Sequence, residues 1–202
     1  MSDVPPWATI LLFAWAGVTV ASWFGGIVEA MLALRLWPPV FRVGHVVLRE
    51  PYSISPEDRT RLVVGQVYAT SRGKFRLTSR NEIVFCESFW GRFGQWHTPF
   101  PIKGRVTWAA DLGETSGSLE GRIPLASTVF VGSILAFVTA VCAAGMFGMF
   151  GLTAVGGRLG ILATAAFFWV FLTGMYLVSV RIELPRIRGV AQEIRERLSP
   201  DR

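Results

Sequence analysis

The chain has 202 residues, a formal charge of +6 and 51% hydrophobic residues, gathered into runs rather than spread as a soluble core would spread them. Apart from Glu29, residues 4–34 carry no charged side chain, and neither do residues 123–157 or 159–180. That pattern excludes an ordinary soluble domain. The two cysteines, Cys86 in the polar middle and Cys142 in an apolar run, give no disulfide framework, and neither has the Cys or His neighbours of a zinc site.

Each apolar run exceeds the roughly 20 helical residues needed to cross a bilayer core of about 30 Å. The first predicts a transmembrane helix at 9–33. A signal peptide would begin with a basic segment and end at a small-x-small cleavage site; here only Asp3 precedes the run, which reads as a retained anchor. Gly17, Ala21 and Gly25 recur every four residues and form one small-residue face of this helix. Glu29 is the ionisable residue deep in the run, near its end. We expect it to meet water or a basic partner at the interface. A proton or ion relay is the alternative, but no second acid, Lys or His within the runs continues one.

The middle, 40–125, reads as β. Six segments, 41–48, 62–70, 74–78, 82–88, 104–110 and 118–125, are rich in β-branched and aromatic residues with partial period-two alternation. Turn residues at 71–73, 79–81 and 111–117 separate them, and Ser55, Pro56 and Asp58 predict a short helical turn between the first two strands. Residues 88–108 hold three Trp, three Phe and one His. Trp90, Phe93, Trp96 and Phe100 with Arg92, His97 and Lys103 suit an anionic amphiphile or the headgroup layer. Equally, such rings can plug an open end of a small β domain, with the prolines of "TPFPIKG" stiffening the entry into the next strand.

The second and third runs predict transmembrane helices at 127–150 and 159–181. The second carries a longer small-residue stripe, Gly132, Ala136, Ala140, Ala144 and Gly148, expected to pack against the first stripe or to self-associate. From Leu184, apolar residues at 184, 187, 190/191, 194 and 198 alternate with charged ones, an amphipathic tail that either lies on headgroups or docks on the β domain; Gly189 weakens it as a free helix.

Charge sets an orientation. Of the 20 Lys and Arg, none lies in residues 1–34, 13 lie in 35–126, Arg158 alone lies between the last two helices, and six lie in 181–202. Basic residues favour the cytoplasmic side, so the amino terminus is expected outside and the β domain and tail inside. Acids such as Glu50, Asp58, Glu82, Glu87 and Asp111 interrupt the basic residues, which argues against nucleic acid as a partner. Catalytic motifs are missing: His45 and His97 are the two histidines, and no nucleophile elbow, phosphate loop or H-E-x-x-H is present. Glu82 and Glu87, five apart on a strand, point to opposite faces.

The runs "GQVYATSRGKFRL" (65–77), "PFPIKGRVTW" (99–108) and "LEGRIPLASTVFVGSILAFV" (119–138) resemble a group of uncharacterised bacterial membrane proteins. Their shared layout is a Gly-led strand, a Pro-x-x-Gly strand start and a last strand running almost directly into a helical hairpin. The resemblance implies a bacterial, membrane-anchored β domain and carries over no functional residues.

The sequence therefore predicts an α+β membrane protein: three transmembrane helices with a six-stranded antiparallel barrel or sandwich inserted between helix 1 and helix 2. Its segments are 1–39 (first helix), 40–125 (β domain), 126–182 (helical hairpin) and 183–202 (tail). The expected role is non-enzymatic and needs no cofactor. The β domain of an inner-membrane protein binds a protein partner or lipid headgroups, or the chain serves as an accessory subunit of a transport or envelope enzyme complex. The small-residue helix faces offer contacts to a partner or a second copy.

Overall fold

The computed structural model describes residues 6–54, 61–87, 101–108, 116–146 and 155–198. In chain order these form α1 (Pro6–Leu34), a 3-10 helix (Pro38–Arg42), β1 (His45–Ser53), β2 (Val67–Ala69), β3 (Gly73–Ser79), β4 (Glu82–Glu87), β5 (Lys103–Trp108), β6 (Ser116–Ile123), α2 (Leu125–Met146) and α3 (Val155–Leu198). Among the described residues, three helices are long and apolar enough to cross a membrane: α1 from Thr9, α2, and α3 from Leu159. The helical turn expected at Ser55–Asp58 lies outside the described residues, as do the last turn expected of the second helix and most of the 111–117 turn.

The six strands form one antiparallel sheet in the order β1-β6-β5-β4-β3-β2. The expected barrel or sandwich does not form, because β1 and β2 remain edges and a helix stands between them. The lower half of α3 touches both. Towards β1, the Tyr52 hydroxyl donates to the Ala191 carbonyl oxygen at 2.6 Å and Arg188 pairs with Glu50. Towards β2, Arg197 donates to the Ala69 carbonyl, while Glu193 accepts from Ser71 and, at 3.0 Å, from the Arg72 backbone N–H. The sheet curls around a helix roughly 10 Å across, which fills the space that strand pairing would have closed.

Packing follows the period-two pattern. Ile83 and Phe85 of β4, Val106 of β5 and Leu119 of β6 face α3, where they bury Ile187, Val190, Ala191, Ile194 and Leu198. These helix positions are the apolar stripe expected of the tail. Its docking on the sheet, rather than on headgroups, reflects two-sided burial. The tail is not a separate element: α3 runs 44 residues without a break, through Pro185. A proline costs a helix one backbone hydrogen bond, but Pro185 and Arg181, whose carbonyl loses its donor, are both exposed, so solvent can take that bond. Gly189 is buried where Arg72 crosses the helix; a Cβ there would lie 2.3 Å from Arg72 Nη1. Similarly, Gly104 pairs with Phe85 across the ladder, and a Cβ would lie 2.2 Å from the ring.

The opposite face carries Val84 and Cys86, covered by Ala33 and Leu36 at the end of α1 and by Val40 and Phe41 of the 3-10 helix. The first strand starts at His45 rather than near residue 41 because Pro38 and Pro39 direct the chain into that 3-10 turn. The second strand is cut to three residues, with 62–66 forming a turn in which Gly65 takes a φ of 90°.

Helices α1 and α2 pack antiparallel, but not through the expected stripes. Trp15 stacks on Phe137 with centroids 3.8 Å apart and donates to the Ser133 carbonyl at 2.9 Å, and Thr19 meets Ser133 at 3.3 Å. Of the small residues, Gly25 reaches Ala126, whereas Gly17 and Gly132 face open space and Ala21, Ala136 and Ala140 are exposed. The large stacked rings and hydroxyl contacts hold the helices on another face. Ala144 is half-buried, and Gly148 lies outside the described residues.

Candidate functional site

Where α1, the sheet and the helical hairpin meet, Glu29 and Lys103 form a buried ion pair, with side chains 10% and 3% exposed. The sequence places them 74 residues apart. Lys103 has three N–H donors, and three acceptors surround it: Glu29, the Val40 carbonyl at 2.7 Å and the Val43 carbonyl at 3.3 Å. The Glu29 carboxylate also accepts from the first amides of α2, Leu125 N–H at 3.1 Å and Ala126 N–H at 3.0 Å. Helix N-termini favour negative charge, so an acid on α1 caps α2 in trans. Burial pushes Lys103 below the usual lysine range, with Glu29 pulling it back up. The pair thus clasps α1, β5 and the start of α2 together.

Beside the clasp lies a pocket of about 140 Å³, lined by Ala30, Ala33 and Leu34 of α1, Cys86 and Glu87 of β4, Pro101 to Lys103, Pro124 and Glu183. Burial raises the Cys86 thiol to about 12, which keeps it protonated and unreactive near neutral pH. Arg186 approaches two carboxylates here, Glu183 at 3.4 Å and Glu87 at 3.9 Å. Glu183 is 2% exposed although it carries a charge three residues past the charge-free run of α3. Its sequence signal was available: position 183 falls on the same helical stripe as 187, 190 and 194.

A second charged constellation crosses the sheet on the face away from α3. Glu82 accepts from Arg105 at 2.7 Å, Arg42 at 2.8 Å and Thr78 at 2.7 Å. Glu120, directly opposite Arg49 and Arg105 in the two neighbouring strands, pairs with Arg49 at 2.8 Å and Arg122 at 2.9 Å. Burial opposes the charged form of Glu82, but the bonds from Arg42, Thr78 and Arg105 outweigh it and hold the carboxyl at about 2. Alternating signs along the ladder leave no phosphate-tracking stripe.

Of the seven candidate residues in the aromatic stretch, the structure describes Lys103, whose amino group is engaged in the clasp. Trp90, Arg92, Phe93, Trp96, His97 and Phe100 lie outside the described residues. The described chain on either side of them, Glu87 and Pro101, borders the pocket. Among the described residues no three of His, Cys, Asp and Glu are placed to hold a metal ion. Compared with known proteins, the chain matches no protein-family model, no curated protein and no solved structure.

Proposed function

We propose that the chain is a multi-pass protein of a bacterial inner membrane, amino terminus outside and sheet inside, whose surface-held sheet binds a protein partner or lipid headgroups without catalysing a reaction. One observation carries this reading: α3 is at once a membrane-length apolar helix and the core of the sheet. A sheet built around the end of a spanning helix has no linker along which to leave the bilayer surface. The 88–103 stretch is the proposed contact, supported by the pocket that Glu87, which precedes it, and Pro101 to Lys103 border.

The test uses the full chain, because a 40–125 fragment would lack the helix that fills its sheet. Single cysteines replacing Ser2, Ser79, Gly157 and Ser199, in a background with Cys86 and Cys142 replaced, are labelled in intact cells with an impermeant maleimide. Labelling at positions 2 and 157 alone supports the proposed orientation; the inverse pattern overturns it and turns the search toward envelope ligands. Release of the chain by alkaline carbonate would overturn the membrane reading itself.

The outward stripe of Gly132, Ala136 and Ala140 on α2 favours a second reading, an accessory subunit of a membrane transport or envelope enzyme complex. Under that reading, Ala136→Leu abolishes co-purification with a defined enzyme while leaving membrane insertion intact. Under the first, headgroup or partner binding survives the substitution.

A further inference from the structure

Most arginines described on this chain already have a partner. Arg42, Arg49, Arg105 and Arg122 serve Glu82 and Glu120 on the charged face of the sheet, and along the end of α3 Arg186 meets Glu87 and Glu183, Arg188 meets Glu50, Arg195 lies over the Tyr52 ring and Arg197 donates to a backbone carbonyl. Arg35, Arg61, Arg80 and Arg181 are exposed and form no ion pair among the described residues, and of these four Arg35 and Arg181 lie at the ends of the apolar runs of α1 and α3.

The two chain segments that carry them border one pocket, lined by Leu34, next to Arg35, and by Glu183, two residues after Arg181. Arg181 is the first charged residue after the charge-free run 159–180 of α3. Arg35 follows the apolar part of α1; Glu29, which caps α2, marks the level where α2 begins, and Arg35 lies six residues, roughly 9 Å of helix, beyond it. Large apolar side chains beside them are exposed: Met31 60%, Trp37 47% and Ile182 42%. Arginine and tryptophan next to exposed aliphatic residues is the composition of a membrane's headgroup layer.

A strained residue fixes the outward direction at α1. Leu36 has a φ of 52°, a left-handed conformation that costs a branched side chain energy, yet it is fully buried. It closes α1 as glycine usually does, with Leu36 N–H donating to the Ala33 carbonyl at 2.9 Å and Trp37 N–H to the Leu32 carbonyl at 3.0 Å. Turning Leu36 into the core leaves its neighbours, Arg35 and Trp37, outside. Strain of this kind persists where the surrounding fold over-determines it, and here it presents a cation and an indole together.

We propose that Arg35, Trp37 and Arg181 form a binding surface for the phosphate groups of anionic phospholipids. The inference rests on the membrane reading above and adds the lipid class. Guanidinium groups bind phosphate oxygens through paired N–H donors, and near an anionic surface each is worth about a fivefold preference at low salt. Sources other than lipid are set apart by the test.

The full chain is purified in detergent and mixed with phosphatidylglycerol and phosphatidylcholine, and the lipid retained is measured by native mass spectrometry. The wild type is expected to retain phosphatidylglycerol preferentially, with the preference falling as salt rises. Arg35→Gln/Arg181→Gln is expected to lose about 25-fold of that preference, the product of two fivefold terms. Arg80→Gln, an exposed arginine at the β3–β4 turn, at the opposite end of β4 from Glu87, is expected to keep it. Inorganic phosphate in excess is expected not to compete. Equal retention by the double variant, or full displacement by inorganic phosphate, overturns the proposal. Both arginines are exposed, so folding should survive, and Arg35→Lys/Arg181→Lys, which keeps charge without the fork, is expected to recover part of the preference. Release by alkaline carbonate would instead overturn the membrane reading on which the surface depends.

Discussion

The two faces of the sheet are made by alternate residues of the same strands, and they are stabilised in different ways. On β4, Ile83 and Phe85 enter the apolar core around α3; on β5 and β6, Arg105 and Glu120 enter the ion ladder on the other side. Apolar burial contributes in proportion to area and is indifferent to pH. The charged face depends on every donor finding its acceptor, because a buried charge left alone is far costlier than a lost pair is valuable. The first face joins the sheet to the end of α3 through apolar packing, and the second joins it to the end of α1 through the Glu29–Lys103 pair beside the smaller apolar cluster of Val84 and Cys86. The sheet is therefore tied to two membrane-length helices by two kinds of force.

That comparison can be broken most sharply at the clasp. Lys103→Met leaves the Glu29 carboxylate buried without its cation and is expected to cost about 3–5 kcal/mol, with Glu29→Gln/Lys103→Met recovering part of it. Thermal unfolding of the detergent-purified variants measures both, and a single variant no weaker than the double would show that the pair is not coupled. On the apolar face, Ile194→Ala, at a residue 1% exposed, is expected to cost about 2–5 kcal/mol with no dependence on pH. If the same loss appeared only at one end of the pH range, the two faces would not be separable in this way.

Acid provides the next contrast. Glu82 is held at about 2 against an ordinary 4.5, so its contribution is complete above the ordinary value and is lost as pH falls toward 2. Melting temperatures taken across that window should fall for the wild type and flatten in Glu82→Gln. Unchanged slopes would mean the ladder is not what acid disrupts. The smallest effect is expected at the rim, where Arg188 and Glu50 are 51% and 36% exposed. Arg188→Gln there should cost only about 0.2–1 kcal/mol, and less in high salt.

Local patterns carried much of this architecture. Charge-free runs marked the three apolar helices; period-two alternation located β3 almost to the residue because one of its faces is the more deeply buried, and β4 read as a short run of β-formers between turn residues because both of its faces are buried. The spacing 184, 187, 190/191, 194 and 198 showed which side of the tail is buried, with Glu183 the one charge on that stripe left unread. These features depend only on side-chain chemistry and the repeat of the backbone.

Tertiary structure decided the rest, because it depends on contacts between residues distant in the chain. No local signal pairs Glu29 with Lys103; the pair exists because α1 and β5 converge where α2 begins. Leu36 ends α1 in a conformation that glycine normally takes, which burial against Val84 and Cys86 compensates. Pro185 suggests a break in α3, yet the helix continues because the sheet grips it from β1 and β2. That same grip keeps six strands from closing into a barrel: the last helix occupies the gap, and only the folded chain shows that a membrane-length helix and the core of the sheet are one element.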